Sequence, residues 1–375
     1  MTISDASEIA HSRQVMRSII QRIATGPELS KNISQEEARL GMRAILQGHI
    51  EPIQIGIFLI ALRMKRETDD ENCGILSGIR DVTETVTADV PEVIDLADPY
   101  DGYNRTLPPT PFLPAVLAAC GVPAVCHGME TVSPKFGVTH KQILRSLDIP
   151  VELSVAEAAK RLAEPELGWT YVDQSQFCPA LHDLTELRSK MVKRSAITTV
   201  EVLTAPLRGR EKTHLVTGYV HKPYPRIYAL LARHSGFDSA LIVRGIEGGV
   251  IPSLRQAGKF FYYHNGGAEE SIDIDPVDLG IQQELRAVPV PEELSPEDSN
   301  TVLDSAAIAR LAAEHGVAAL KGQPGATYDA LVYSGAVCLW HLRRCDSLNA
   351  AATQVRQVLD SGAALARLVA AGARL

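Results

Sequence analysis

Apolar positions recur every three or four residues through the first ninety residues. In ASEIAHSRQVMRSIIQRIATG they fall at Ile9, Val15, Met16, Ile19, Ile20 and Ile23, and Gly26-Pro27 stops the pattern. Ser34 with Glu37, and Thr68 with Glu71, have the spacing of capping boxes and open two further helices, ARLGMRAILQGHI and NCGILSGIRDVTETV. Between them PIQIGIFLIALRMKRE is apolar nearly all round, which predicts a buried helix or one packed against a second subunit.

After Pro91 the pattern changes to short apolar runs alternating with helical ones. VIDLA, PAVCH, ITTVEVL, THLVTGYV, SALIVRG and KFFYYH read as strands, with FLPAVLAA, THKQILRSL and PRIYALLARHS as helices between them. Such alternation predicts a mainly parallel sheet covered on both faces. The Pro- and acid-rich piece 266–300 interrupts it as an irregular excursion or a small added element, and the chain is helical again from Thr301. The fold class expected is therefore α/β: a small all-helical domain at 1–88, joined by helices near 155–185, and a larger α/β domain at 89–375 whose sheet is flanked by helices.

Composition adds boundaries. At 375 residues, 45% hydrophobic and 22% charged, the chain has ample material for a large core. The N-terminal MTISDASEIAHSRQ lacks the basic and apolar blocks of a signal peptide, and no apolar run approaches the roughly 20 residues a bilayer span needs, so a cytoplasmic protein with no membrane role is expected. The six cysteines form no CxxC pair, which favours reduced structural thiols over metal ligation. The net charge of −8 is unevenly placed: residues 186–260 hold 13 Lys/Arg against 5 Asp/Glu, and residues 261–304 hold 1 against 11. The basic block reads either as a solvated face or as an anion-binding groove beside an acidic insertion.

Four blocks in order resemble anthranilate phosphoribosyltransferase, a helical-plus-α/β family related to the pyrimidine nucleoside phosphorylases. SQEEARLGMRAILQGHIEPIQIGIFLIALRMKRET is similar to its N-terminal helices, CGVPAVCHGMETVSPKFG to its strand and Ser/Lys loop, LTELRSKMVKRSAITTVEVLTAPL to its Arg-containing helix, and YDALVYSGAVCLWHLRRCDSLNAAATQVRQVLDSGAALARL to its C-terminal helices. The resemblance implies transfer of a phosphoribosyl group from phosphoribosyl pyrophosphate to an aromatic amine, assisted by magnesium, and a homodimer formed through the N-terminal helices.

Set beside the family motifs, the site residues change. Where the family has GTGGD, this chain has Ala97-Asp98-Pro99-Tyr100-Asp101; glycines that let a backbone approach a diphosphate are gone, a proline has no N–H, and Asp98 is expected to repel phosphate. Asn104, Arg105 and Thr110 remain as candidates in that loop, with Arg105 able to hold one phosphate bidentately. In the Ser/Lys loop, Ser133, Lys135 and Thr139 are the candidate phosphate ligands, although Glu130 replaces a family Arg. The resemblance puts Arg188, Met129 and His127 at the acceptor pocket, Met129 in place of a family Asn. No catalytic residue is assigned. Val250 and Ile251 stand where the family has an acidic pair, so no metal ligand and no cofactor is expected, family-type magnesium included; Glu247 is a single displaced carboxylate better suited to capping a turn.

Three functions stay open. One is a diverged member that binds a phosphate-bearing small molecule or single-stranded nucleic acid in the inherited interdomain cleft without the parent reaction; RGIEG resembles a branch of the family recognised as nucleic-acid-binding dimers. Another is a working pentosyl transferase or nucleoside phosphorylase with altered substrates. The third is a dimeric scaffold whose cleft is vestigial.

Overall fold

The computed structural model describes residues 3–26, 28–295 and 303–374. The expected helices open the chain as α1 (Ile3–Ile23), α2 (Gln35–Leu46), α3 (Pro52–Lys65) and α4 (Asp69–Arg80). Both capping boxes form: Ser34 and Thr68 accept from the backbone N–H of Glu37 and Glu71, whose carboxylates accept from the cap N–H in return. In α3, Ile55, Phe58, Leu59 and Leu62 are buried, while Ile53 and Met64 are each 77% exposed and Ile57 is 40% exposed. The all-round apolar pattern thus divides into a packed face and an uncovered stripe.

The rest is built on strands β1 (Val86–Thr87), β2 (Glu92–Ala97), β3 (Ala124–Gly128), β4 (Trp169–Asp173), β5 (Leu207–Arg208), β6 (Lys212–Gly218), β7 (Ser239–Val243), β8 (Gly258–His264) and β9 (Glu270–Ile274). Seven make one sheet in the order β4-β3-β2-β6-β7-β8-β9, parallel except for the antiparallel pairs β7·β8 and β8·β9; β1 and β5 pair separately. Period-two alternation divides β2 between two cores. Ile94 and Leu96 pack with Leu113–Ala119 and the C-terminal helices, whereas Val93 and Ala97 belong to the core shared with α1–α4. The observed fold is a small helical N-terminal unit with a larger α/β unit whose mostly parallel sheet is flanked by helices.

Two elements depart from the sequence pattern. ITTVEVL, expected as a strand, forms the helix Ala196–Val200 and a tight turn Glu201–Leu203, because Ile197, Val200 and Leu203 recur at helical spacing and bury one face against α3 and α4. The excursion contains β9, which adds an antiparallel strand to the sheet edge, followed by short 3-10 turns; residues 296–302 lie outside the described part. Helices Thr185–Met191, Ala196–Val200 and Tyr224–His234 carry the sheet unit's contacts to α3 or α4, while Val155–Ala163 packs on β4 and β1. All six cysteines are free. A buried polar chain, Glu92–His214–Ser239–His341, crosses the sheet, with burial pushing His214 down to about 4 and His341 well below the usual imidazole range.

Candidate functional site

A parallel sheet places a ligand crevice at the carboxyl ends of its strands, where the chain's progress across the sheet reverses. Here β2 leads outward to β3 and β6 leads the other way to β7, so the reversal falls between β2 and β6. A cavity of about 410 Å³ opens there, lined by Ala97 at the end of β2 and by Thr217 and Gly218 at the end of β6. Arg63 of α3 reaches it from the helical unit and Tyr224 from the helix between β6 and β7, and Ser195, Thr198 and Thr199 bring hydroxyls. A more polar cavity of about 440 Å³ adjoins it, sharing Arg63, Thr199 and Tyr224.

The charge lining the cleft is mixed. Arg63, Arg105, Lys135 and Arg194 face Asp101 and Glu247. Arg194 holds Asp101 Oδ2 through Nε at 3.0 Å and Nη2 at 2.5 Å. Lys135 Nζ donates to the Gly102 carbonyl at 2.6 Å and stands 3.7 Å from Asp101 and 3.6 Å from Glu247. Arg63 and Arg105 have no ion pair among the described residues. The loop 98–106 and the loop 130–139 touch so closely that only glycine fits: Gly102 has φ +72 and a Cβ there would meet the Val138 carbonyl at 2.5 Å, while one on Gly137 would meet Tyr103 N at 2.5 Å.

Of the residues singled out in the sequence, Asn104, Arg105 and Lys135 line the cleft. The others lie behind it. Ser133 is buried; Thr139 caps the helix His140–Arg145 and donates to the Glu130 carbonyl; Thr110 is fully buried, with no hydrogen-bond partner for its hydroxyl among the described residues. Arg188 is buried and bidentate to Glu201 at 2.7 and 2.6 Å. His127 sits between Tyr100 Oη at 2.5 Å and Asp95 Oδ1 at 2.7 Å, and Met129 packs in the core. Arg194, the second arginine that the resemblance keeps in the block LTELRSKMVKRSAITTVEVLTAPL, lines the cleft as well, whereas Tyr224 and the Thr198-Thr199 pair were not read as site residues and nothing local signalled them.

Asp98 differs from the expectation of a repelling charge in the phosphate loop. Its carboxylate is turned inward, accepting from Tyr103 Oη at 2.7 Å, His140 Nε2 at 2.9 Å and Val250 N at 2.8 Å. Burial alone would raise its pKa, but His140, Tyr103 and the Val250 amide together hold it below the ordinary value. Burial likewise pushes the Tyr103 and Tyr100 phenols well up, so both stay neutral, and Tyr103 donates to Asp98.

The donor set does not fit a divalent cation. Val250 and Ile251 are buried apolar residues, and the Glu247 carboxylate is surrounded by donors: the backbone N–H groups of Asn104, Arg105 and Thr106, the Thr106 hydroxyl and the Lys135 ammonium. These donors are engaged by the protein's own carboxylate.

Comparison with known proteins agrees with this architecture. Residues 17–82 match the helical bundle domain of the glycosyl transferase family, and residues 110–365 match its a/b domain. The anthranilate phosphoribosyltransferase of Rhodopseudomonas palustris (strain BisB18) is 27% identical over 94% of this chain and 96% of its own. An uncharacterized protein of Aquifex aeolicus is 27% identical over 85% and 91%. Among solved structures, the anthranilate phosphoribosyltransferase of Saccharomyces cerevisiae in complex with PRPP and Mg superposes with a TM-score of 0.75 at 15% identity, covering 95% of this chain and 96% of that one. The anthranilate phosphoribosyltransferase of Thermus thermophilus gives 0.69 at 21%, covering 95% and 97%. Both structural likenesses speak to the fold alone.

Proposed function

Because the chain belongs to the glycosyl transferase family that includes the anthranilate phosphoribosyltransferases, we propose that it is a cytoplasmic protein whose interdomain cleft binds a phosphate-bearing ligand: a nucleotide, a phosphoribosyl compound or a nucleic-acid backbone. The observation that carries this reading is the convergence of Arg63, Arg105, Lys135 and Arg194 on one cavity at the sheet's reversal point. Pro99 removes a backbone donor where the family's glycines let the chain approach a diphosphate, which favours one phosphate group held by these side chains over a magnesium-bound diphosphate. Ser133, Thr139 and Thr110 then support the loops, and Arg188, Met129 and His127 shape the wall behind the cleft.

Lys135→Ala is expected to weaken binding of a nucleotide or single-stranded nucleic acid roughly 10- to 100-fold, the value of a hydrogen bond to a charged group. Calorimetry on the folded variant measures it. Wild-type binding that is undetectable at low salt, or unchanged by Lys135→Ala, removes the proposal. A second reading, pentosyl transfer with altered substrates, is favoured by the near-full-length similarity to anthranilate phosphoribosyltransferases; it requires pyrophosphate release from phosphoribosyl pyrophosphate, which the first reading does not.

The partner we assign to the helical unit is a second copy of this chain. Ile53, Ile57 and Met64 form the uncovered apolar stripe on α3. Ile53→Asp with Met64→Asp is expected to convert a dimer to a monomer in light scattering, and a wild-type monomer at micromolar concentration would rule the pairing out.

A further inference from the structure

The Glu247 carboxylate fills a ring of hydrogen-bond donors in the wall of the cleft. Its Oε1 accepts from Arg105 N at 3.1 Å, Thr106 N at 3.0 Å and Thr106 Oγ1 at 2.9 Å; its Oε2 accepts from Asn104 N at 3.2 Å and lies 3.6 Å from Lys135 Nζ. Three consecutive backbone N–H groups, a hydroxyl and an ammonium around one anion make the kind of nest by which loops hold phosphate. The carboxylate reaches it from more than 140 residues away in sequence, on a turn that places Glu247 at φ +52, in the left-handed region disfavoured for a side chain with a Cβ. The turn is itself part of the cavity wall, since Glu247 and Gly248 both line it.

The geometry points to Asn104–Thr106 as an oxyanion site whose resident anion is the protein's own Glu247, so that a phosphate group enters only by displacing that carboxylate. The inference rests on the reading that the cleft takes a phosphate-bearing ligand. A tethered carboxylate competes at an effective concentration of the order of millimolar, set by its short linker rather than by anything in solution. Free inorganic phosphate, which has nothing else to hold, binds weakly against that competition. A larger phosphate ester that also engages Arg63, Arg105 or Arg194 offsets the competition through those contacts and moves Glu247 aside. Glu247 is thus a specificity-determining residue that discriminates against the free anion.

The test is titration of inorganic phosphate, at ionic strength matched with sodium chloride, into wild type, Glu247→Ala and Glu247→Gln. Glu247→Gln keeps a carbonyl acceptor for the loop while removing the charge, and so guards against loss of folding in the alanine variant. Both variants are expected to bind phosphate about tenfold or more tightly than wild type, the scale of one charge-assisted contact released to the ligand. Adding Lys135→Ala abolishes the gain. A folded Glu247→Gln with wild-type phosphate affinity overturns the inference. The outcome separates from that of the proposed function: phosphate gained by the variants while wild type binds no nucleotide or phosphoribosyl pyrophosphate upholds the displaced carboxylate and removes the proposed ligand class, and nucleotide binding without any phosphate gain does the reverse.

Discussion

Asp98→Ala is expected to destabilise the protein by roughly 3–5 kcal/mol, the cost of stripping one partner from a buried charged network. Asp98 joins three segments at one carboxylate: Tyr103 from the loop after β2, His140 at the start of the helix His140–Arg145, and Val250 from the turn after β7. Alanine leaves a phenol, an imidazole and an amide buried without that acceptor, and the cleft built from those loops loosens with them. The effect depends on pH with a defined sign. A carboxylate whose folded pKa is depressed contributes stability above its unfolded value, near 3.8, and loses that contribution as pH falls through the folded value. Urea denaturation from pH 7 down to about pH 2 should therefore show a full difference between the two proteins above about pH 4 and a narrowing one below it. A constant difference across that range would mean that Asp98 acts through packing rather than charge.

Arg188→Ala should cost a similar amount, roughly 3–5 kcal/mol, and for a related reason. The guanidinium is buried and doubly bonded to Glu201, which also accepts from Gln174 Nε2 at 3.2 Å, so its removal strands a carboxylate in the core between the helical and sheet units. Replacing both partners, as Arg188→Met with Glu201→Leu, should be milder than either single change because no charge is left without a partner. The comparison discriminates between two roles for this arginine. If Arg188→Ala keeps the wild-type urea midpoint and loses ligand binding, Arg188 faces the ligand; if it loses the midpoint and the double variant recovers it, the pair holds the wall.

Much of the frame was legible because its signals are local. The capping boxes at Ser34 and Thr68 need only residues three apart, and the runs VIDLA, PAVCH and SALIV declare themselves by continuous burial. ITTVEVL misleads because its β-branched residues suit a strand, while the helical recurrence of Ile197, Val200 and Leu203 shows only when α3 and α4 are in place. β4 passes unnoticed in WTYVD because Asp173 and Thr170 break the apolar run, although every residue of the strand is buried. The cleft was half legible. Lys135, Asn104 and Arg105 lie in the loops that the motifs mark, but the partners that define their chemistry arrive from far along the chain, Glu247 onto the 104–106 amides and Arg194 onto Asp101. No local pattern encodes a contact across that separation.

β9 gives the acidic excursion a purpose unrelated to ligands. A sheet that grows outward from its centre ends in a row of unsatisfied main-chain groups, and such a border invites a strand from another molecule. This border is finished with Glu270 and Asp273 standing in solvent along β9, next to Glu269 paired with Arg233. Like charges would face one another if two molecules met there edge to edge. The carboxylate-rich stretch that looked like an interruption of the fold is its hem: it ends the sheet where further pairing would mean aggregation.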